Sequence, residues 1–166
     1  MLWLSSIQAF SDDETQQSRW LDPQERNPHY SFVECMCSYF DDTFMGDEDA
    51  LQRRVGRGHL TEEEAVAVEQ FHALADAYES PGGDDYDDDA ILADPKWHAV
   101  VDAAEQAKQR LLPLLKEPAE REALMQPLHW DEEGRGWRTD LTGSIITPAR
   151  RWMLQQLLSR LRRKFG

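Results

Sequence analysis

Cysteine is scarce in this 166-residue chain: Cys35 and Cys37 are the only two. One intervening residue is too few for an unstrained disulfide, and no second pair stands at the spacing a structural zinc site needs. A disulfide-stapled fold and a zinc finger are thereby excluded, and the thiols are expected to be reduced, in the cytoplasm. Long apolar runs are missing too. Met1-Leu2-Trp3-Leu4-Ser5-Ser6-Ile7 lacks a basic lead-in and breaks too soon for a signal peptide or a membrane span. No Gly-x-Gly-x-x-Gly or Walker loop occurs, and Gly56-Arg57-Gly58 is neither. The histidines His29, His59, His72, His98 and His129 are scattered, and no Ser, His and Asp set stands out among them. No cofactor and no catalytic constellation is expected, so the chain is read as a protein other than an enzyme.

What is present is charge of one sign. Thirty-two carboxylates face 18 Lys and Arg, a net charge of −14. The balance is uneven along the chain. No acid follows Asp140, while Arg150, Arg151, Arg160, Arg162, Arg163 and Lys164 add +6, which leaves −20 (12 bases against 32 acids) on the first 140 residues. Such a field repels nucleic acid and anionic lipid and draws in basic partners. Six Trp, four Tyr and six Phe argue against disorder. A chain of this length removes roughly 70% of its unfolded surface on folding, enough for one domain over residues 1–166.

The periodicity is helical. Ser31 and Glu34 form a capping-box pair, followed by an apolar stripe at Val33, Met36, Cys37, Phe40 and Phe44 that runs to Gly46, with Cys37 facing the core and Cys35 turned away. Asp47 is placed to cap a short helix through Leu51 and Val55. Thr61 and Glu64 repeat the capping box ahead of Val68, Phe71, Leu74, Ala75 and Tyr78. Asp94-Pro95 opens a long helix through Trp97, Val100, Val101, Ala104, Leu111 and Leu115, which Pro113 ends or bends. Another helix follows at Pro118–Met125. Residues 1–30 admit either strand or helix, and a small hairpin near 128–140 is expected around Glu133-Gly134-Arg135-Gly136. Thr147-Pro148 caps a basic amphipathic helix over 148–166 with Leu154, Leu157, Leu158, Leu161 and Phe165 on one face. The expected fold is mostly α, an irregular bundle of five or six helices.

Two side-chain groups invite a chemical reading. In Asp84-Asp85-Tyr86-Asp87-Asp88-Asp89, the residues Asp85, Asp87 and Asp89 occupy the first, third and fifth places of a calcium loop. Ala90 stands where the sharp turn needs Gly and Lys96 where a bidentate Glu is needed, so a solvated acidic loop is expected. Glu69-x-x-His72 has the spacing of a di-iron helix ligand pair, but no second copy exists, and a surface Glu beside a boundary His is the plainer reading. No metal site is expected.

Elimination leaves binding. An acidic surface bearing exposed aromatics can cover a basic partner, with carboxylates steering association and aromatic rings anchoring it. By likeness of charge and size alone, the chain is expected to act as an immunity- or antitoxin-like inhibitor of a basic protein such as a nuclease toxin. The contact is placed at Asp84, Asp85, Tyr86, Asp87, Asp88 and Asp89, together with Asp41 and Asp42. A metal-dependent helical enzyme using Glu69, His72 and nearby carboxylates is one alternative. A structural or regulatory subunit, dimeric through residues 148–166, is the other.

Overall fold

The computed structural model describes residues 2–25, 30–127, 129–131 and 136–138. Its contacts divide the chain into two compact units, Met1–Pro127 and Leu128–Gly166. The first holds eight α-helices among the described residues: α1 (Leu2–Ser11), α2 (Asp13–Arg19), α3 (Phe32–Phe40), α4 (Ala50–Gly56), α5 (Glu62–Asp76), α6 (Asp88–Leu92), α7 (Pro95–Leu111) and α8 (Pro118–Met125). The second contains a two-stranded antiparallel ladder, β1 (His129–Asp131) with β2 (Gly136–Arg138), in which Trp130 lies opposite Trp137. The chain is therefore a mostly helical, irregular bundle, with more helices than the five or six expected. The surplus comes from residues 2–19 and from the acidic run, part of which is helical. The helix expected at 148–166 lies outside the described residues. Among the described residues, no helix is long and apolar enough to cross a membrane.

Helix α1 is the central element, packed against α3, α7 and α8. Trp3, Leu4, Ile7 and Phe10 are buried, but so are Ser5, Ser6 and Gln8. Burial around most of the helix blurs the polar–apolar alternation, which is why this segment resists reading. Its C-terminal carbonyls find partners in the next helix. Asp12 caps α2 by accepting the Thr15 N–H at 3.0 Å. Gln16, one turn on, is 1% exposed and donates to the carbonyls of Ala9 at 2.9 Å and Phe10 at 3.0 Å. Its side-chain Oε1 accepts the Trp97 indole N–H at 3.0 Å, joining α2 to α7. Orphan carbonyls at a helix end are thus satisfied by one buried amide.

Aromatic rings fill the space between helices. Phe10 meets Phe71 at 5.1 Å, Tyr39 at 5.7 Å and Trp97 at 5.6 Å between ring centroids. Trp97 also packs on Trp20, Phe32 and Tyr78. These contacts turn α3 away from the expected face. Phe32, Cys35 and Tyr39 are the buried residues of the helix, whereas Cys37 is half-buried and Phe44 is 50% exposed. The helix also stops at Phe40, short of Gly46, where Asp41 and Asp42 would oppose the negative end of its dipole. In α5 the full Thr61–Glu64 capping box forms, and Ala67, Val68, Phe71 and Ala75 are buried. Asp94 caps α7 as expected, accepting the Lys96 N–H at 2.9 Å, and α7 ends at Leu111, ahead of Pro113. Helix α4 begins after Asp49, which sits at φ 56 and makes no side-chain cap, so Asp47 contributes its backbone carbonyl to Ala50 instead.

Candidate functional site

The acidic run is divided by its own hydrogen bonds. Gly82 and Gly83, at φ 67 and 73, turn the chain after Pro81 with a backbone that side-chain-bearing residues avoid. Ser80 then donates to Asp85 Oδ1 at 2.6 Å, and Asp84 Oδ1 accepts the Tyr86 N–H at 3.0 Å. Asp87 caps α6 by accepting from the Ala90 N–H at 3.0 Å, and Asp88 and Asp89 form the first turn of that helix. The expected loop over Asp84–Asp89 is therefore half loop and half helix start, because a carboxylate at the N-cap and in the first turn is favoured there. Asp88 Oδ1 also accepts the Phe32 N–H at 3.2 Å, tying the run to the start of α3.

With these aspartates held, Tyr86 stands out at 83% exposed. An open groove of about 230 Å³ lies beside it, lined by Trp20, Leu21, Asp22, Pro23, Tyr86, Asp87, Asp88 and Asp89. One wall is anchored: Trp20 packs edge-on to Phe32 at 6.4 Å and against Trp97 at 5.8 Å. Leu21 is 39% exposed, and Asp22 braces its own turn by accepting the Gln24 N–H at 2.8 Å. The groove thus sets four carboxylates among rings and an aliphatic side chain. Burial pushes the Asp88 carboxyl up from its ordinary value. The Phe32 N–H opposes that shift, and repulsion from Asp89 and Asp87 adds to it. A cation in the groove would relieve that repulsion.

Asp41 and Asp42 do not join this surface. The groove adjoins the first residue of α3, and the two aspartates follow its last; nine residues of helical rise put roughly 13 Å between them. Trp20, Leu21, Asp22 and Pro23 were not placed at the site from the sequence, which marks Pro23 only as part of a connector. A Trp-Leu pair ahead of an Asp-Pro turn was the available signal, and only the fold shows that it lines the same groove as Tyr86.

The Glu69–His72 pair is not assembled for a metal. Glu69 is exposed, while His72 is half-buried and its Nδ1 lies 3.2 Å from the Tyr39 hydroxyl. Among the described residues, no group of three or more His, Cys, Asp or Glu is arranged to hold a metal ion. The thiols are equally quiet. Burial pushes Cys35 well above the usual range. Cys37 is raised to about 11 by burial first and then by Asp41, Glu34 and Asp42. Both stay protonated, and a protonated thiol is a poor nucleophile.

No curated protein and no solved structure matches the chain. A family model does match, over residues 3–118, a span that includes every residue lining the groove. The chain therefore belongs to the family described as Domain of unknown function (DUF7945).

Proposed function

We propose that the chain is a protein-binding module that receives an arginine- or lysine-bearing segment of a basic partner in the groove between Trp20–Pro23 and Tyr86–Asp89. The observation that carries this reading is the exposed Tyr86 ring standing beside Asp22, Asp87, Asp88 and Asp89. A guanidinium or ammonium group entering there meets carboxylates on both walls and a ring face on which to stack. A stacked cation at an exposed site contributes about 0.5–1 kcal/mol. The net charge of −14 supplies the longer-range attraction, which raises the association rate and is screened by salt. An immunity- or antitoxin-like inhibitor that masks a basic nuclease is the kind of protein this chemistry suits. Binding, rather than catalysis, is part of the same proposal.

The test is capture of proteins from the host lysate by the tagged full chain at low and moderate salt, beside two variants. One is Asp22→Asn with Asp87→Asn and Asp89→Asn; asparagine keeps the Asp87 cap while removing charge. The other is Tyr86→Ala. A basic protein retained at low salt, released by moderate salt, held about tenfold more weakly by the asparagine variant (a loss near 1.4 kcal/mol) and about two- to fivefold more weakly by Tyr86→Ala supports the proposal. Retention of the same partner with unchanged affinity by both variants removes the groove from the contact.

A further inference from the structure

The groove beside Tyr86 offers its carboxylates in two different states. Asp22 Oδ1 accepts the Gln24 N–H at 2.8 Å, Asp87 Oδ1 the Ala90 N–H at 3.0 Å and Asp88 Oδ1 the Phe32 N–H at 3.2 Å. Each of these three carboxylates has one oxygen committed to the backbone and the other, Oδ2, left for a ligand. Asp89 differs. It stands in the first turn of α6, is exposed, and among the described residues its side chain makes no hydrogen bond or ion pair. Of the four carboxylates lining the groove, it alone keeps both oxygens open among the described residues. Tyr86, three residues earlier, is free in a similar way. Its backbone N–H is held by Asp84 Oδ1 at 3.0 Å, while the ring is 83% exposed and packs on no other ring of the described residues.

These two features separate the basic side chains. A lysine ammonium is a compact charge whose N–H groups each take one oxygen, so Oδ2 of Asp22, Asp87 and Asp88 serves it well. A guanidinium is planar and presents pairs of parallel N–H groups, and its strongest contact is a fork to both oxygens of one carboxylate. An oxygen already accepting a backbone N–H makes a poorer half of that fork, because the second donor must approach it at a less favourable angle. The guanidinium plane is also weakly hydrated and stacks flat on an aromatic face. We infer that the groove selects arginine over lysine, with Asp89 as the carboxylate that takes the guanidinium fork and Tyr86 as the ring on which its plane lies. This rests on the reading of the groove as the receiver of a basic segment, and adds to it the side chain received and the residue that chooses it. The helix start creates the distinction. The Asp87 carboxylate is engaged as the cap of α6, whereas Asp89, two positions on, complements the helix dipole without being held by an N–H.

The experiment is an NMR titration of the isotope-labelled full chain at low salt, following its backbone amides and the Trp20 indole. The probes are two blocked tripeptides of equal charge, acetyl-Gly-Arg-Gly-amide and acetyl-Gly-Lys-Gly-amide. Both should shift residues 20–23 and 86–89. The arginine peptide should do so with a dissociation constant about fivefold lower, for one more charge-assisted hydrogen bond and a stacked face. Asp89→Asn should bring the two peptides to within about twofold of each other, since an amide has one acceptor oxygen and cannot receive a fork. Asp87→Asn removes the same charge and keeps the cap, so it should weaken both peptides by the same factor and leave their ratio at about fivefold. Asp89 is exposed and joined to no described residue, so its variant should keep the wild-type spectrum away from the groove.

Equal dissociation constants for the two peptides, with shifts confined to the groove, overturn the selection of arginine and leave the groove a receiver of cations. So does an arginine preference that Asp89→Asn leaves intact, or one that Asp87→Asn abolishes just as fully. If neither peptide shifts residues 20–23 or 86–89, the selection and the reading of the groove fall together.

Discussion

The two ends of α3 are held by opposite means. At its start, Ser31 caps the helix, and Phe32 is packed among Trp20, Tyr78 and Trp97 with ring centroids 5.2–6.4 Å apart. The buried Gln16 amide fixes Trp97 behind them. Past its finish, where Tyr39 and Phe40 still pack against Phe10, Phe71 and His72, the chain over residues 41–46 is braced by polar bonds. The Thr43 hydroxyl donates to the Tyr39 carbonyl, the Arg54 guanidinium to the Thr43 carbonyl, and Gly46 N–H to the Phe40 carbonyl at 3.1 Å. Thr43 and Met45 are buried, and Phe44 between them is driven outward, half-exposed and at φ 58. The packed end presents a surface built on rigid rings. The polar end tolerates a strained residue because hydrogen bonds on both sides of it fix the backbone.

The comparison breaks most readily at the packed end. Gln16→Leu leaves the Ala9 and Phe10 carbonyls and the Trp97 indole N–H without their partner. At about 1–3 kcal/mol for each unsatisfied buried group, with partial relaxation, the loss should be about 3 kcal/mol in urea unfolding of the full chain. A loss below about 1 kcal/mol would mean that ring packing holds this end without the amide. At the other end, Arg54→Met removes a half-buried charged donor from the Thr43 carbonyl. The expected cost is smaller, about 1–2 kcal/mol, with faster amide exchange confined to residues 41–46. If Arg54→Met costs as much as Gln16→Leu, the two ends are not differently built after all.

Caps were the most legible feature of this chain. Ser31, Thr61 and Asp94 cap the helices expected of them, because a hydroxyl or carboxylate followed by free N–H groups is a local motif that needs no tertiary information. Faces were less legible. In α3 the residues Val33, Met36 and Phe40 are apolar too and are only partly buried, so the periodicity alone admitted two stripes. Phe32 and Tyr39 won through contacts with Trp97, Phe10 and Phe71, all distant in sequence. The candidate surface shows the same division. Tyr86 and its aspartates stand out in the sequence, while Trp20 to Pro23 reach them only through packing that begins in a helix with no clear signature. His72 was noticed for a metal spacing, and the fold joins it to Tyr39 instead.

The smallest effect tests the strained end by its sign. Phe44→Ala and Phe44→Gly delete the same ring, and with it the same modest burial, so the difference between the two variants reports the backbone alone. In regular helix or strand, glycine is the worse of the pair by roughly 0.5–1 kcal/mol, because it has more freedom to lose on folding. At φ 58 the Cβ of alanine carries a penalty of roughly 1–2 kcal/mol that glycine escapes. The two terms oppose each other, and the steric one is larger. Phe44→Gly should therefore melt above Phe44→Ala by a margin of about 0.5–1 kcal/mol, which is roughly 2–3 °C for a chain of this size. The reverse order would mean that residue 44 leaves the left-handed region once its ring is gone. The ring itself, rather than the flanking bonds of Thr43 and Gly46, would then be what holds the turn.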